Sequence, residues 1–95
     1  VSTLHIYSTD PCTRCVFVKR WLDARSIPYT ETNMAHLPAA EADEIRAALA
    51  KDGYMGAPTV YFTDDDADFR LSFTGADMTK LEEIEAHLNA QAVTA

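Results

Sequence analysis

A run of β-forming residues, Thr3 to Ser8 (TLHIYS), stops at TDP and gives way at once to the chain's only two cysteines, Cys12 and Cys15. From Thr13 to Arg25 the pattern changes period. Val16, Trp21, Leu22 and Ala24 recur near helical spacing between Arg14, Lys19, Arg20 and Asp23. A strand that feeds a helix through a Cys-x-x-Cys junction, with a second β-prone segment behind it, opens a βαβ unit and points to an α/β architecture.

The second β-prone segment is SIPYTETNM, carrying Pro28, Tyr29, Thr30 and Thr32. LPAAEADEIRAALAKDGY follows as a helix, with Ile45, Ala48 and Leu49 on one side and Gly53 as its stop. Two more β-rich runs, APTVYFT (Ala57 to Thr63) and FRLSFT (Phe69 to Thr74), are joined by DDDAD, short enough for a hairpin. Phe69, Leu71 and Phe73 alternate with polar residues, so one face of the last strand is buried. Asp77 stands where an N-cap would open the helix MTKLEEIEAHLNAQ, in which Leu81, Ile84 and Leu88 share a face, and the trailing AVTA is expected to fray. The order is βαβαββα, without repeats or linkers, and residues 1–95 read as one domain. A right-handed crossover then gives a mixed sheet with helices on both faces.

Eight basic against fifteen acidic residues leave a formal net charge of −7, a field that repels nucleic acid and anionic membrane and favours neutral or basic protein surfaces as partners. No apolar run approaches the roughly 20 residues of a membrane span. The N-terminus lacks the basic head and apolar core of a signal peptide. The expectation is a cytoplasmic monomer with no nucleic-acid or membrane partner. In that compartment a pair of cysteines is not a structural staple, and a disulfide between them belongs to a working cycle.

Three chemistries compete for Cys12 and Cys15: a reversible disulfide, half of a metal site, and two buried thiols. Residues i and i+3 on a helix lie about 5–6 Å apart at Cβ, and a disulfide wants about 3.8 Å, so a modest adjustment in the first turn closes the bridge. The positive end of the helix favours thiolate over thiol, and Cys12, nearer that end, is the expected nucleophile with Cys15 as resolving thiol. Arg14 would favour a thiolate and Asp10 oppose it, unless Asp10 caps the helix with Pro11 in its first turn. Zinc needs about four ligands, and His5, His36 and His87 stand in no ligand spacing, so no metal and no bound cofactor is expected.

Pro58 has two readings, a proline tolerated at the first residue of a strand and a cis Ala57-Pro58 bond that turns a strand-like edge toward the cysteines. DDDAD lacks the central glycine and terminal glutamate of a calcium loop. Trp21 and Phe17, four apart, read as core, with Phe17 beside the cysteines as the alternative, and His5 reads as structural.

From HIYSTDPCTRC through GYMGAPTV to FTGADMTKLEEI the chain resembles the glutaredoxin-like branch of the thioredoxin superfamily, and within it the NrdH-type redoxins. That resemblance implies a thioredoxin fold, a four-stranded mixed sheet flanked by three helices, with Cys12 as nucleophile, Cys15 as resolver and Pro58 in cis. It also implies electrons from NADPH through thioredoxin reductase and delivery to ribonucleotide reductase. The chain departs from the pattern at Thr9, where many members have lysine, and at Phe73-Thr74-Gly75-Ala76, where NrdH redoxins typically have Trp-Ser-Gly-Phe. Gly75-Ala76-Asp77 also resembles the Gly-x-Asp segment with which glutaredoxins hold the γ-glutamyl end of glutathione. A low-molecular-weight thiol, glutathione or mycothiol, is therefore the alternative donor. Capping is the other role open to Asp77.

CTRC and KRWLDARSIPYTETN are also similar to the start of the arsenate reductase and Spx group, whose Spx members are redox-sensing regulators of RNA polymerase. That group carries a helical insertion for which 95 residues leave little room. The expected activity is therefore dithiol-disulfide exchange through Cys12 and Cys15. Pro11, Thr13 and Arg14 lie around the thiols, Ala57, Pro58 and Thr59 shape a substrate groove, and Gly75, Ala76 and Asp77 complete the binding surface.

Overall fold

The computed structural model describes residues 2–94. Four strands, β1 (Ser2–Ser8), β2 (Thr30–Asn33), β3 (Thr59–Asp64) and β4 (Phe69–Thr74), form one mixed sheet in the order β2-β1-β3-β4. β2 runs parallel to β1, while β3 and β4 are antiparallel to their neighbours. The helices are α1 (Thr13–Ala24), α2 (Ala39–Lys51) and α3 (Met78–Thr94). This is the expected βαβαββα thioredoxin-type arrangement.

Alternation along β1 sends Leu4, Ile6 and Ser8 to one face and His5 and Tyr7 to the other. The first face meets α1 and α3. Ile6, Val60, Phe62 and Phe73 pack there with Val18, Trp21 and Leu22 of α1 and with Leu81 and Ile84 of α3. On the other face Ala42 and Leu49 of α2 join Met34, with Tyr7, Tyr54 and Tyr61 around them. The first cluster holds most of the buried apolar surface, so the α1 side is the cohesive half of the molecule.

The local chemistry ends each element. α1 closes through Ser26 at φ 55, with Ser26 N–H donating to Asp23 and Ile27 N–H to Leu22, a paired C-terminal motif. Gly53, at φ 87, closes α2 the same way, as its position predicts. The hairpin at DDDAD turns through Asp68 at φ 51, a conformation that aspartate tolerates.

Several boundaries differ from the pattern-based expectation. β2 begins only at Thr30, and Met34, read as strand, opens a single 3₁₀ turn, Met34–His36, capped by the Asn33 side chain. α2 starts at Ala39, after Pro38. Pro58 precedes β3 rather than opening it. α3 continues through Thr94, past the start of the segment expected to fray, and Ala95 lies outside the described residues. On α1 the buried stripe is Cys15, Val18, Trp21 and Leu22, whereas Val16, Phe17 and Ala24 face solvent. Ala48, placed with Leu49 from the pattern, is also exposed.

His5 is structural, with Nδ1 2.6 Å from Thr30 Oγ1 and Nε2 2.9 Å from Thr32 Oγ1, and burial lowers its pKa. Beneath α1 the buried Ser8 hydroxyl donates to Glu31 Oε2 at 2.5 Å, and Lys19 Nζ lies 2.9 Å from the same oxygen. The hydrogen bond from Ser8, then Lys19, holds the Glu31 carboxyl below its ordinary range against the opposing effect of burial. A carboxyl depressed in the folded state stabilises the fold above its unfolded pKa, and that contribution is lost as pH falls through the folded value. The expected result for Glu31→Gln is a stability deficit at pH 7 that shrinks steadily below pH about 4. Urea unfolding of both proteins across pH 7 to 3 measures it, and a deficit independent of pH would contradict the linkage.

Candidate active site

Cys12 has extended backbone, φ −155 and ψ 100, and is itself the N-cap of α1. Its Sγ accepts the Cys15 N–H at 3.1 Å. Asp10, the side chain with the better capping propensity, does not fill that position. It stands before Pro11 and faces His36, with Asp10 Oδ2 3.8 Å from His36 Nε2. Pro11 likewise lies outside the helix, and the Asp10-Pro11 bond is cis. A sulfur at the cap sits where orphan backbone N–H groups and the helix dipole favour negative charge.

Cys12 and Cys15 are joined as a disulfide with Cα atoms 5.2 Å apart. Cys15 is 1% exposed, so Cys12 is the sulfur that solvent and partners meet. Thr9, Pro11, Cys12, Thr13, Arg14 and Ala57 line one cavity. Five of the sequence-derived site residues thus converge, and Thr9, singled out only for the lysine it replaces, joins them.

The far wall is built by backbone pairing that the sequence does not reveal. Ala57-Pro58 is cis. Gly75 N–H donates to Pro58 O at 2.7 Å, Thr74 Oγ1 donates to the same carbonyl at 3.3 Å, and the fully buried Thr59 hydroxyl donates to Gly56 O at 2.9 Å. Gly75 takes φ +81, and a Cβ there would lie 3.9 Å from Arg14 Nη1. The loop before β3, the turn before α3 and the Cys-x-x-Cys turn therefore meet at one end of the sheet. Thr59 supports the wall from within rather than lining it.

Ala76 packs against the main core, and Asp77 caps α3, its Oδ1 accepting Lys80 N–H at 3.2 Å. Four large apolar side chains are left in solvent, Met55 at 85% exposure, Phe17 at 46% and Val16 at 43% on α1, and Met78 at 37% at the start of α3. Met55 lines a neighbouring depression that shares Thr9 and Ala57 with the Cys12 cavity. Periodicity could not find Met55, which stands alone in a loop. Among the described residues no group of three or more His, Cys, Asp or Glu side chains is placed to hold a metal ion.

Comparison with known proteins agrees with this geometry. The sequence model of the Glutaredoxin family matches residues 4–66. The glutaredoxin-like protein NrdH of Lactococcus lactis subsp. cremoris is 30% identical over 80% of this chain and 94% of its own length. The crystal structure of a glutaredoxin from Archaeoglobus fulgidus superposes with a TM-score of 0.69 at 17% identity, covering 87% of this chain and 85% of that one. Glutaredoxin 1 from Francisella tularensis, crystallised with cacodylate, superposes at 0.59 and 21% identity, covering 94% of this chain and 99% of that one. A disulfide-bonded Cys-x-x-Cys pair at the mouth of a thioredoxin-type fold supports thiol-disulfide exchange, and the chain belongs to the glutaredoxin family.

Proposed function

We propose that this protein is an NrdH-type electron carrier that takes electrons from NADPH through thioredoxin reductase and delivers them to a protein disulfide such as that of ribonucleotide reductase. The observation that carries this reading is the Cys12 sulfur at the α1 N-terminus, partly open to solvent and backed by a buried Cys15, in a chain similar to NrdH relatives.

In the reduced protein the Cys12 thiolate attacks one sulfur of the substrate disulfide. A Cys12-substrate S–S bond forms, the substrate S–S bond breaks, and the departing thiolate takes a proton from solvent. Cys15 then loses its proton and attacks the Cys12 sulfur. The Cys12–Cys15 bond forms and the second substrate thiol leaves, so two electrons pass from the dithiol to the substrate. Thr13 and Arg14 flank the reacting sulfur, Ala57 forms the opposite wall with the fully buried Pro58 behind it, and the exposed Met55 in the neighbouring depression suits a protein surface.

Two features support a protein donor over a γ-glutamyl thiol. One is that an oxygen of the Asp77 carboxylate, the group that would hold the γ-glutamyl ammonium, is engaged in capping α3, and the other is the similarity to the NrdH relatives. The test is reduction of the oxidised protein by NADPH with thioredoxin reductase, compared with glutathione and mycothiol systems. Rapid turnover with the reductase alone is expected. Turnover only with a small thiol would make the protein a glutaredoxin or mycoredoxin, and binding to RNA polymerase without any disulfide reduction would favour the Spx-like reading. Location in the cytoplasm belongs to this proposal. Among the described residues no helix is long and apolar enough to cross a membrane.

A further inference from the structure

The net charge of −7 hides an uneven distribution. α1 and its C-cap carry half of the chain's eight basic residues, Arg14, Lys19, Arg20 and Arg25, and one of its fifteen acids, Asp23. Lys19 is paired with Glu31, and Arg25 pairs with Glu85 while lying over the Trp21 ring. Arg14 and Arg20 are left, exposed, and among the described residues neither has an ion-pair partner. The acids at the two ends of the helix are turned to other groups, Asp10 to His36 and Asp23 to Tyr29.

Helix residues three apart are surface neighbours, so Arg14, Phe17 and Arg20 form a ladder with the aromatic ring between two cations. Phe17 is 46% exposed and Val16 beside it 43%. The ladder begins at the cavity, because Arg14 lines it together with Cys12. The other two helices are acidic on balance, Glu41, Asp43 and Glu44 outnumbering Arg46 and Lys51 on α2, and Glu82, Glu83 and Glu85 outnumbering Lys80 on α3. Of the three helices, α1 is the one on which basic residues outnumber acidic ones, so an acidic partner is attracted most strongly here.

We propose that the Arg14-Phe17-Arg20 ladder is a docking strip for an acidic segment of the partner protein, with carboxylates on either side of an apolar side chain and adjacent to the partner's disulfide. This rests on the oxidoreductase reading and reverses, for the working face, the basic-partner expectation that net charge alone suggests. Charge complementarity at such a strip acts mainly on encounter rate and orientation.

The test uses the reduced full chain and two synthetic peptides, each with one internal disulfide, flanked by Asp-Leu-Asp in one and by Lys-Leu-Lys in the other. Reduction of the acidic peptide is expected to be about tenfold faster at low salt, with the preference disappearing by roughly 0.5 M NaCl. Arg20→Glu should abolish or invert the preference, and Phe17→Ser should slow both peptides. Arg70→Glu, the same change in net charge placed on β4, should leave the preference intact. Equal rates for the two peptides, a preference for the lysine peptide, or equal effects of Arg20→Glu and Arg70→Glu would overturn the strip while leaving the redox activity standing. If wild type reduces neither peptide nor bis(2-hydroxyethyl) disulfide, the oxidoreductase reading itself fails and takes the strip with it.

Discussion

Cys12→Ser is expected to abolish disulfide reduction, a fall of roughly three orders of magnitude or more, whereas Cys15→Ser should stall with substrate covalently attached to Cys12. The asymmetry comes from exposure and position. Cys12 caps α1 at the cavity, where its sulfur faces both solvent and the helix dipole, while Cys15 is 1% exposed and reaches only the sulfur of Cys12. Serine at position 12 keeps a capping oxygen, so α1 should survive and the loss will be chemical rather than structural. Serine at position 15 leaves the first attack possible and removes the second. Intact-mass measurement after incubation with a disulfide peptide separates the two variants: no adduct for Cys12→Ser, a one-to-one adduct for Cys15→Ser that dithiothreitol reverses. Wild-type turnover by Cys12→Ser would remove the basis of the mechanism.

The second large effect is structural. Phe62→Ala should cost about 3–5 kcal/mol, a large fraction of the roughly 5–15 kcal/mol typical of a domain. Phe62 is 2% exposed on β3, at the centre of the main cluster, and its ring meets Phe69 and His87 edge to face, with centroids 5.9 Å away in both cases. His87 is also stacked on Phe69 at 4.2 Å and bonded to Asp64 at 2.8 Å, so the cavity left by alanine opens beside a polar pair that cannot relax inward cheaply. With a urea slope near 1 kcal/mol per molar for a chain of this size, the midpoint should fall by about 3 M or the protein should fail to fold. Isothermal urea unfolding by far-UV circular dichroism measures it, and a loss under about 1 kcal/mol would mean that the site collapses to fill the gap.

The switch from period two to period 3.6 across the cysteines was enough to read the α/β order, because alternation and helical spacing are direct imprints of which face is buried. The Asp77 cap and the Asp-rich hairpin were legible for the same local reason. The phase of the α1 stripe was not. Val16 is as apolar as Val18, and only the docking of the helix on the sheet decides which of them is covered. The α1 cap stays open in the sequence, where propensity allows Asp10 to fill it, and the path of the chain through Pro11 puts sulfur there and sends Asp10 toward His36. The pairing of Gly75 with Pro58 joins distant segments through main-chain atoms, whose identity no side chain records. Met34 is ambiguous in the sequence because an apolar residue after β-formers fits either a strand end or a 3₁₀ turn.

The unequal division of the core between the two faces of the sheet has a mechanical corollary. Cys12 and α1 are rooted in the large cluster, while the chain leading to Met55 descends from α2, whose buried anchors are Ala42, Leu49 and the neighbouring Met34, with Tyr7, Leu37, Ile45, Tyr54 and Tyr61 only partly buried around them. Regions held by few apolar contacts open at lower free energy than the rest. The side of the groove that fixes Cys12 is accordingly expected to open less readily than the side that carries Met55, so the sulfur would keep its orientation while the opposite wall adjusts.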